Sequence, residues 1–169
     1  RPLDDMPAAK EWRHKTTRPD EIWQCDATNF FVVGWGYYKA IPVEDDYSRR
    51  ILACPVMPDE TSMSISDAVE EAQDNAKKAG HDLKEIPVLL SDNGAGFGGH
   101  ILADYLSVHG IRHIFGRPYH PQTQGKVESF NKKLKRKVCL VVYCSPEDLR
   151  RAVQKAVDEY NVTPHEALK

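Results

Sequence analysis

Three acids stand out by their placement in this sequence. Asp26 falls in a run of β-formers, Asp92 ends a short apolar run, and Glu128 opens a long helical pattern just past a Gly-rich loop. Open α/β sheets tend to bind ligands at the carboxyl ends of their strands, the position expected for Asp92. Carboxylates are hard oxygen donors suited to Mg2+ or Mn2+, and a small group of them leaves coordination positions for water and phosphate. Two such cations about 3.5–4 Å apart stabilise both the attacking and the leaving oxygen of an in-line displacement at phosphorus. Spacing alone is weak support, because the chain has 25 acids and roughly nine in ten acids of an arbitrary protein are solvated surface. Their surroundings carry more information.

Each position depends on its element. Ile22 to Val33 is rich in Ile, Trp, Thr, Phe and Val and predicts one long first strand. Gly34-Trp35-Gly36 turns the chain into a second strand, Tyr37 to Val43. After a turn at Glu44 to Ser48, Arg50 to Val56 makes a third, and the three form an antiparallel meander. Ser62 or Ser64 is expected to cap a helix through Ala79 with Gly80 as its stop, burying Ile65, Ala68, Val69 and Ala72. Ile86 to Ser91 reads as a buried parallel strand, His100 to His109 as a helix, and Ile111 to Phe115 as a short edge strand. The Pro/Gly/Gln loop from Gly116 to Gly125 delivers a long helix, Lys126 to Val142, with Val127, Phe130, Leu134, Val138 and Val141 as its apolar stripe. Ser145-Pro146-Glu147-Asp148 starts a last helix that runs to about Tyr160. Residues 1–20 read as an arm or linker ahead of a single domain over 21–169.

The bulk properties narrow the class. A chain of 169 residues can bury a core without staples. Because it opens on Arg1 rather than Met, a fragment of a longer protein is expected. No apolar stretch approaches the roughly 20 residues that cross a bilayer, and no secretory pattern opens the chain. Cys25, Cys54, Cys139 and Cys144 lack C-x-x-C spacing, so a zinc finger is not expected. Four reduced thiols in or near the core of a cytosolic protein are. Trp23, Trp35, Tyr37 and Tyr38 are expected as core or sheet-face aromatics, His113 as a satisfied core residue, and Asp46 as a turn former. Net charge is −2, but its distribution is uneven. From Arg112 to Lys137 Glu128 is the sole acid among eight lysines and arginines, a pattern that can hide a basic face.

The segments around the three acids read Trp23-Gln24-Cys25-Asp26-Ala27-Thr28, Leu90-Ser91-Asp92-Asn93-Gly94-Ala95-Gly96-Phe97 and His120-Pro121-Gln122-Thr123-Gln124-Gly125-Lys126-Val127-Glu128. They resemble the DDE catalytic core of retroviral integrases and of related bacterial insertion-sequence transposases. The resemblance runs from Trp23 to Leu168, and Pro121 to Glu128 is its most specific part. Asp46-Tyr47-Ser48-Arg49 is similar to the family's turn after its second strand, and Tyr160-Asn161 with Pro164 to Leu168 to its closing signature. Gly96 stands where many relatives carry an acid.

The resemblance implies an α/β, ribonuclease H-like fold with a five-stranded mixed sheet flanked by helices. It implies two Mg2+ or Mn2+ ions, with Asp26 bridging both, Asp92 holding one and Glu128 the other. Carboxylates brought that close repel one another, so without metal at least one pKa should rise. DNA is the implied partner, both element ends and target. Lys126, Lys132 and Lys135 are candidate phosphate contacts; Lys132 and Lys135 share the helical face of Glu128. His120 and Gln122 could contact DNA or shape a loop that closes over it. Asn93 could reach the metal's outer shell or make an Asx-turn. The reaction implied is DNA end cleavage followed by strand transfer, in which a 3′-hydroxyl attacks target DNA, by at least a dimer in the bacterial cytosol at the nucleoid. Rival readings are a plain nuclease on the same fold and a non-catalytic DNA-binding module.

Overall fold

Two prolines and an aspartate turn the expected meander into two sheets. The computed structural model describes residues 16–85, 87–116 and 125–163. Its first β-rich segment divides into β1 (Ile22–Cys25) and β2 (Thr28–Val32), with Asp26 and Ala27 at the break. The second divides into β3 (Gly36–Ala40) and β4 (Val43–Asp45), and the third into β5 (Ile51–Ala53) and β6 (Val56–Met57). Pro42 and Pro55 stand at these breaks, where a residue without an N–H cannot continue a ladder. The Ile41 amide donates to the Pro55 carbonyl at 3.0 Å, which holds the two breaks side by side. One long strand is therefore corrected to two, and Asp26 lies at a corner rather than within a strand.

The remaining elements are α1 (Ser62–Lys78), β7 (Val88–Ser91), α2 (His100–Val108), β8 (His113–Phe115), α3 (Gly125–Val138) and α4 (Pro146–Val162). The main sheet has five strands in the order β5-β4-β1-β7-β8. β1 runs antiparallel to β4 and parallel to β7, so the sheet is mixed as expected. The outer halves of the meander pair as a second antiparallel sheet, β2-β3-β6.

Strand alternation assigns the helices to opposite faces. Trp23 and Cys25 of β1 point into a core with Ile65 and Val69 of α1 and Leu102 of α2. Gln24 faces the other way, where the α3 backbone approaches it. A second core joins Phe30 and Val32 of β2 to Phe130 and Leu134 of α3 and Leu149 and Val153 of α4. Phe130 also meets the Tyr160 ring edge-on, with centroids 4.9 Å apart.

Several boundaries differ from the sequence expectation. Thr61, not Ser62 or Ser64, caps α1, its side chain accepting from the Ser64 amide. Gly80 follows with φ +85, the left-handed turn expected of a helix stop. α3 ends at Val138, and Val141 is exposed instead of buried. There the chain leaves the helix to run beside β2, the Tyr143 carbonyl accepting from the Val33 amide at 2.9 Å. Cys139 and Cys144 lie in this connection and are exposed, so Cys25 and Cys54 alone are buried thiols. Trp23 is core, whereas Trp35 and Tyr37 are exposed on the β2–β3 hairpin.

Thr16 and Asp20, within the segment expected as an arm, are buried against the sheet. The Asp20 amide donates to Asp45, and the Trp23 indole donates to Asp20. Asp45, not Asp46, fixes the turn after β4, accepting from both the amide and the hydroxyl of Ser48. His113 bonds the Ser91 hydroxyl at 2.7 Å, and burial pushes its pKa down to about 4, consistent with a satisfied core residue. Among the described residues no helix is long and apolar enough to cross a membrane.

Candidate active site

Asp26 stands where β1 leaves the main sheet. One carboxylate oxygen accepts the Ala27 amide at 2.8 Å, and the other accepts the Asn131 side-chain amide at 3.4 Å. Burial raises its pKa from 3.8 to about 6; the Ala27 hydrogen bond opposes that rise, and the charges of Asp92, Glu60 and Glu128 add to it. These charges come from separate elements. Asp92 follows β7, Glu128 lies in the first turn of α3, and Glu60 precedes α1. Tertiary folding therefore brings the three acids singled out from sequence into one electrostatic neighbourhood. As the side chains lie, no three metal-ligating groups among the described residues enclose a common cation position.

Asp92 makes its own Asx-turn, Oδ1 accepting from the Gly94 amide at 2.8 Å. Asn93 is exposed beside it. The glycines after it are a spatial requirement. A Cβ at Gly94 would lie 2.9 Å from Asp92 Oδ1 and 3.2 Å from Glu60 Oε1, so the two carboxylates flank this residue. A Cβ at Gly96 would lie 2.2 Å from the Glu60 carbonyl, which explains why no side chain stands there. Gly96→Ala is expected to displace the Glu60 segment and destabilise the fold by about 1–3 kcal/mol. An unchanged melting temperature would remove this account of the turn.

Sequence reasoning missed four neighbours. Glu60 has a raised pKa, first from burial and further from Asp92, while Lys39 opposes the rise from 3.7 Å away. Its sequence context offers no signal beyond a position ahead of a helix. Asn131 is buried, donates to Asp26, and leaves its Oδ1 without a hydrogen-bond partner among the described residues. Its spacing of three from Glu128 on one helix was the available signal. Gln24 and Lys39 complete the set.

Lys126 is ion-paired with Asp46 at 2.9 Å, whereas Lys132 and Lys135 are exposed along α3. His120, Gln122, the rest of that loop and the closing segment from Pro164 lie outside the described residues.

The donor set fits hard divalent cations. Asp26 is a half-buried carboxyl whose charge is disfavoured by other acids, the condition that a nearby cation relieves. The partnerless Asn131 oxygen is a further hard acceptor beside it.

A five-stranded mixed sheet covered by helices on both faces, with acids at strand ends and on a covering helix, is the ribonuclease H-like arrangement. The model for the integrase core domain matches residues 16–121, and a second integrase core domain model matches 109–169. The Gag-Pro-Pol polyprotein of squirrel monkey retrovirus is 33% identical over 117 residues, 69% of this chain and 6% of that polyprotein. The chain thus spans a small part of this relative. A chain of the simian T-cell lymphotropic virus intasome in complex with PP2A regulatory subunit B56 gamma superposes with a TM-score of 0.70 at 22% identity, covering 90% of this chain and 53% of that one. The HTLV-2 integrase catalytic core domain in complex with magnesium, in a trimeric form, gives 0.61 at 19% identity over 85% and 86% of the two chains. This chain belongs to the integrase core domain family.

Proposed function

We propose that this domain catalyses metal-dependent cleavage of DNA ends and their transfer to target DNA. The observation that carries the reading is the electrostatic convergence on Asp26 of Asp92 and Glu128, from elements far apart in sequence. Asp26, Asp92 and Glu128 would hold Mg2+ or Mn2+, as the HTLV-2 core is described with magnesium. When bound, two such ions supply charge stabilisation to the attacking and leaving oxygens of a phosphodiester. The protein's part is positioning. The Gly94 amide orients Asp92, the Ala27 amide and Asn131 orient Asp26, and the helix carries Glu128. Lys132 and Lys135, exposed beyond Glu128 on α3, are suited to phosphates of the DNA end. Two ends must be processed together, so at least a dimer is proposed. The bacterial, nucleoid-associated setting expected from sequence draws no support from the relatives named above, which are viral.

Metal must compete with the proton that Asp26 retains up to about pH 6. Mn2+ affinity is therefore expected to fall about tenfold between pH 7.5 and pH 5. Calorimetric titration at the two values checks this, and equal affinities would count against the site. An assay that resolves joined from hydrolysed products separates strand transfer from the plain nuclease; the absence of either product leaves a binding module.

A further inference from the structure

Gln24 lies two residues before Asp26, and Lys126 two residues before Glu128. Between them runs a circuit of hydrogen bonds. The buried Gln24 amide nitrogen donates to Asp46 Oδ1 at 2.6 Å, and its oxygen accepts from the Val127 backbone amide at 3.3 Å. Lys126 Nζ donates to Asp46 Oδ2 at 2.9 Å and to the Asp46 carbonyl at 2.6 Å. Thr16 closes the cluster from the N-terminal side, donating to Asp46 Oδ2 at 2.7 Å. Val127 belongs to the first turn of α3, whose amides have no partner within the helix, so Gln24 satisfies a donor that would otherwise need water.

We infer that Gln24, Asp46 and Lys126 are positioning residues, a clamp that docks the N-terminus of α3 on β1 and β4 and so sets Glu128 against Asp26. The inference rests on the metal-dependent reading above. It assigns Lys126 a different role from Lys132 and Lys135. The Lys126 ammonium is bound to a carboxylate and a carbonyl, and the side chain is 30% exposed, whereas the other two lysines stand in solvent. The clamp grips the helix at its first turn. Asp46, which sequence suggested as a turn former, is the hub.

The test compares Lys126→Met, Asp46→Asn, their double variant and Lys126→Arg in the full chain. It reads Mn2+ affinity by calorimetry, the Mn2+ midpoint for cleavage of a duplex end, the KM for that duplex, and the melting temperature. Loss of an outer partner of a metal ligand costs roughly 10–100-fold in metal affinity. Each single variant is expected to raise the Mn2+ midpoint about tenfold, with kcat at saturating Mn2+ largely restored and KM for DNA unchanged. The double variant should be no worse than the weaker single, because both break one circuit. Lys126→Arg, which keeps the pair with Asp46, should restore the midpoint. If Lys126→Met fails to fold, the near-isosteric Asp46→Asn carries the same readouts. A Lys126→Met chain with an unaltered Mn2+ midpoint, a raised KM for DNA and a flatter salt dependence would overturn the clamp and make Lys126 a phosphate contact. Wild type that takes up no Mn2+ overturns the parent reading as well. Wild-type uptake with unchanged variants overturns the clamp alone.

Discussion

Asp26→Asn is expected to fold, to melt higher than wild type without metal at pH 7.5, and to cut DNA about a thousandfold more slowly. On the proposed reading the rate follows from losing a ligand to the cations: several kcal/mol of transition-state stabilisation, at about 1.4 kcal/mol per factor of ten, gives roughly that factor. The stability gain has a separate origin. The Asp26 carboxyl is raised from 3.8 to about 6, so the native state binds its proton more tightly than the unfolded chain does. Its contribution is therefore greatest below pH 4 and is lost as pH rises through about 6. Removing the charge should recover about 1–2 kcal/mol at pH 7.5, discounted for partial exposure. The new amide can still accept from Ala27, and the Asn131 side chain can turn its partnerless oxygen toward the added NH2 group. Mn2+ should reverse the order by stabilising wild type alone. Retained cleavage would refute the catalytic role, and a lower melting temperature without metal would refute the electrostatic strain.

A second large effect lies away from the acids. Glu44 of β4 is fully buried; the Tyr160 hydroxyl donates to one oxygen at 3.3 Å and the other has no hydrogen-bond partner among the described residues. Burial raises its pKa from 4.5 to about 8, against the opposing charge of Arg49 and the Tyr160 hydrogen bond. Stability tied to this group is present below about pH 4.5 and is lost progressively as pH rises through 8. Glu44→Gln keeps an acceptor for Tyr160 and has no charge to bury. At pH 8.5 it should gain about 2–4 kcal/mol, seen as roughly 5–12 °C in melting temperature, and less than about 1 kcal/mol at pH 5. Melting curves of both chains from pH 5 to 8.5 check this. Parallel curves would mean that Glu44 is not the source of the pH dependence.

Much of the architecture was legible because its signals are local. The stripes at Ile65, Ala68, Val69 and Ala72 and at Phe130 and Leu134 are buried where their spacing predicted. Gly80 and the Ser145-Pro146 start mark real helix ends. Some misreadings were local, since Pro42 and Pro55 mark strand breaks that the β-rich runs obscured; the others are non-local. From Ile22 to Val33 the β-formers are interrupted at Asp26 and Ala27, and two weak β-formers do not say that the chain passes there from one sheet to another. The end of α3 at Val138 depends on Tyr143 meeting β2, more than a hundred residues away in sequence. Asp45 and Asp46 exchanged roles because two adjacent acids look alike until their partners are known.

The sequence by itself determined the helices, the approximate strands, and three carboxylates set in recognisable surroundings, since these depend on residue type and short-range spacing. Tertiary structure alone decided which acids share a field. Glu60 entered it, and Lys126 was turned toward Asp46. The reason is physical: burial, Coulomb repulsion and hydrogen-bond partnership depend on distances in space, and these are fixed only when β1, β7 and α3 pack together.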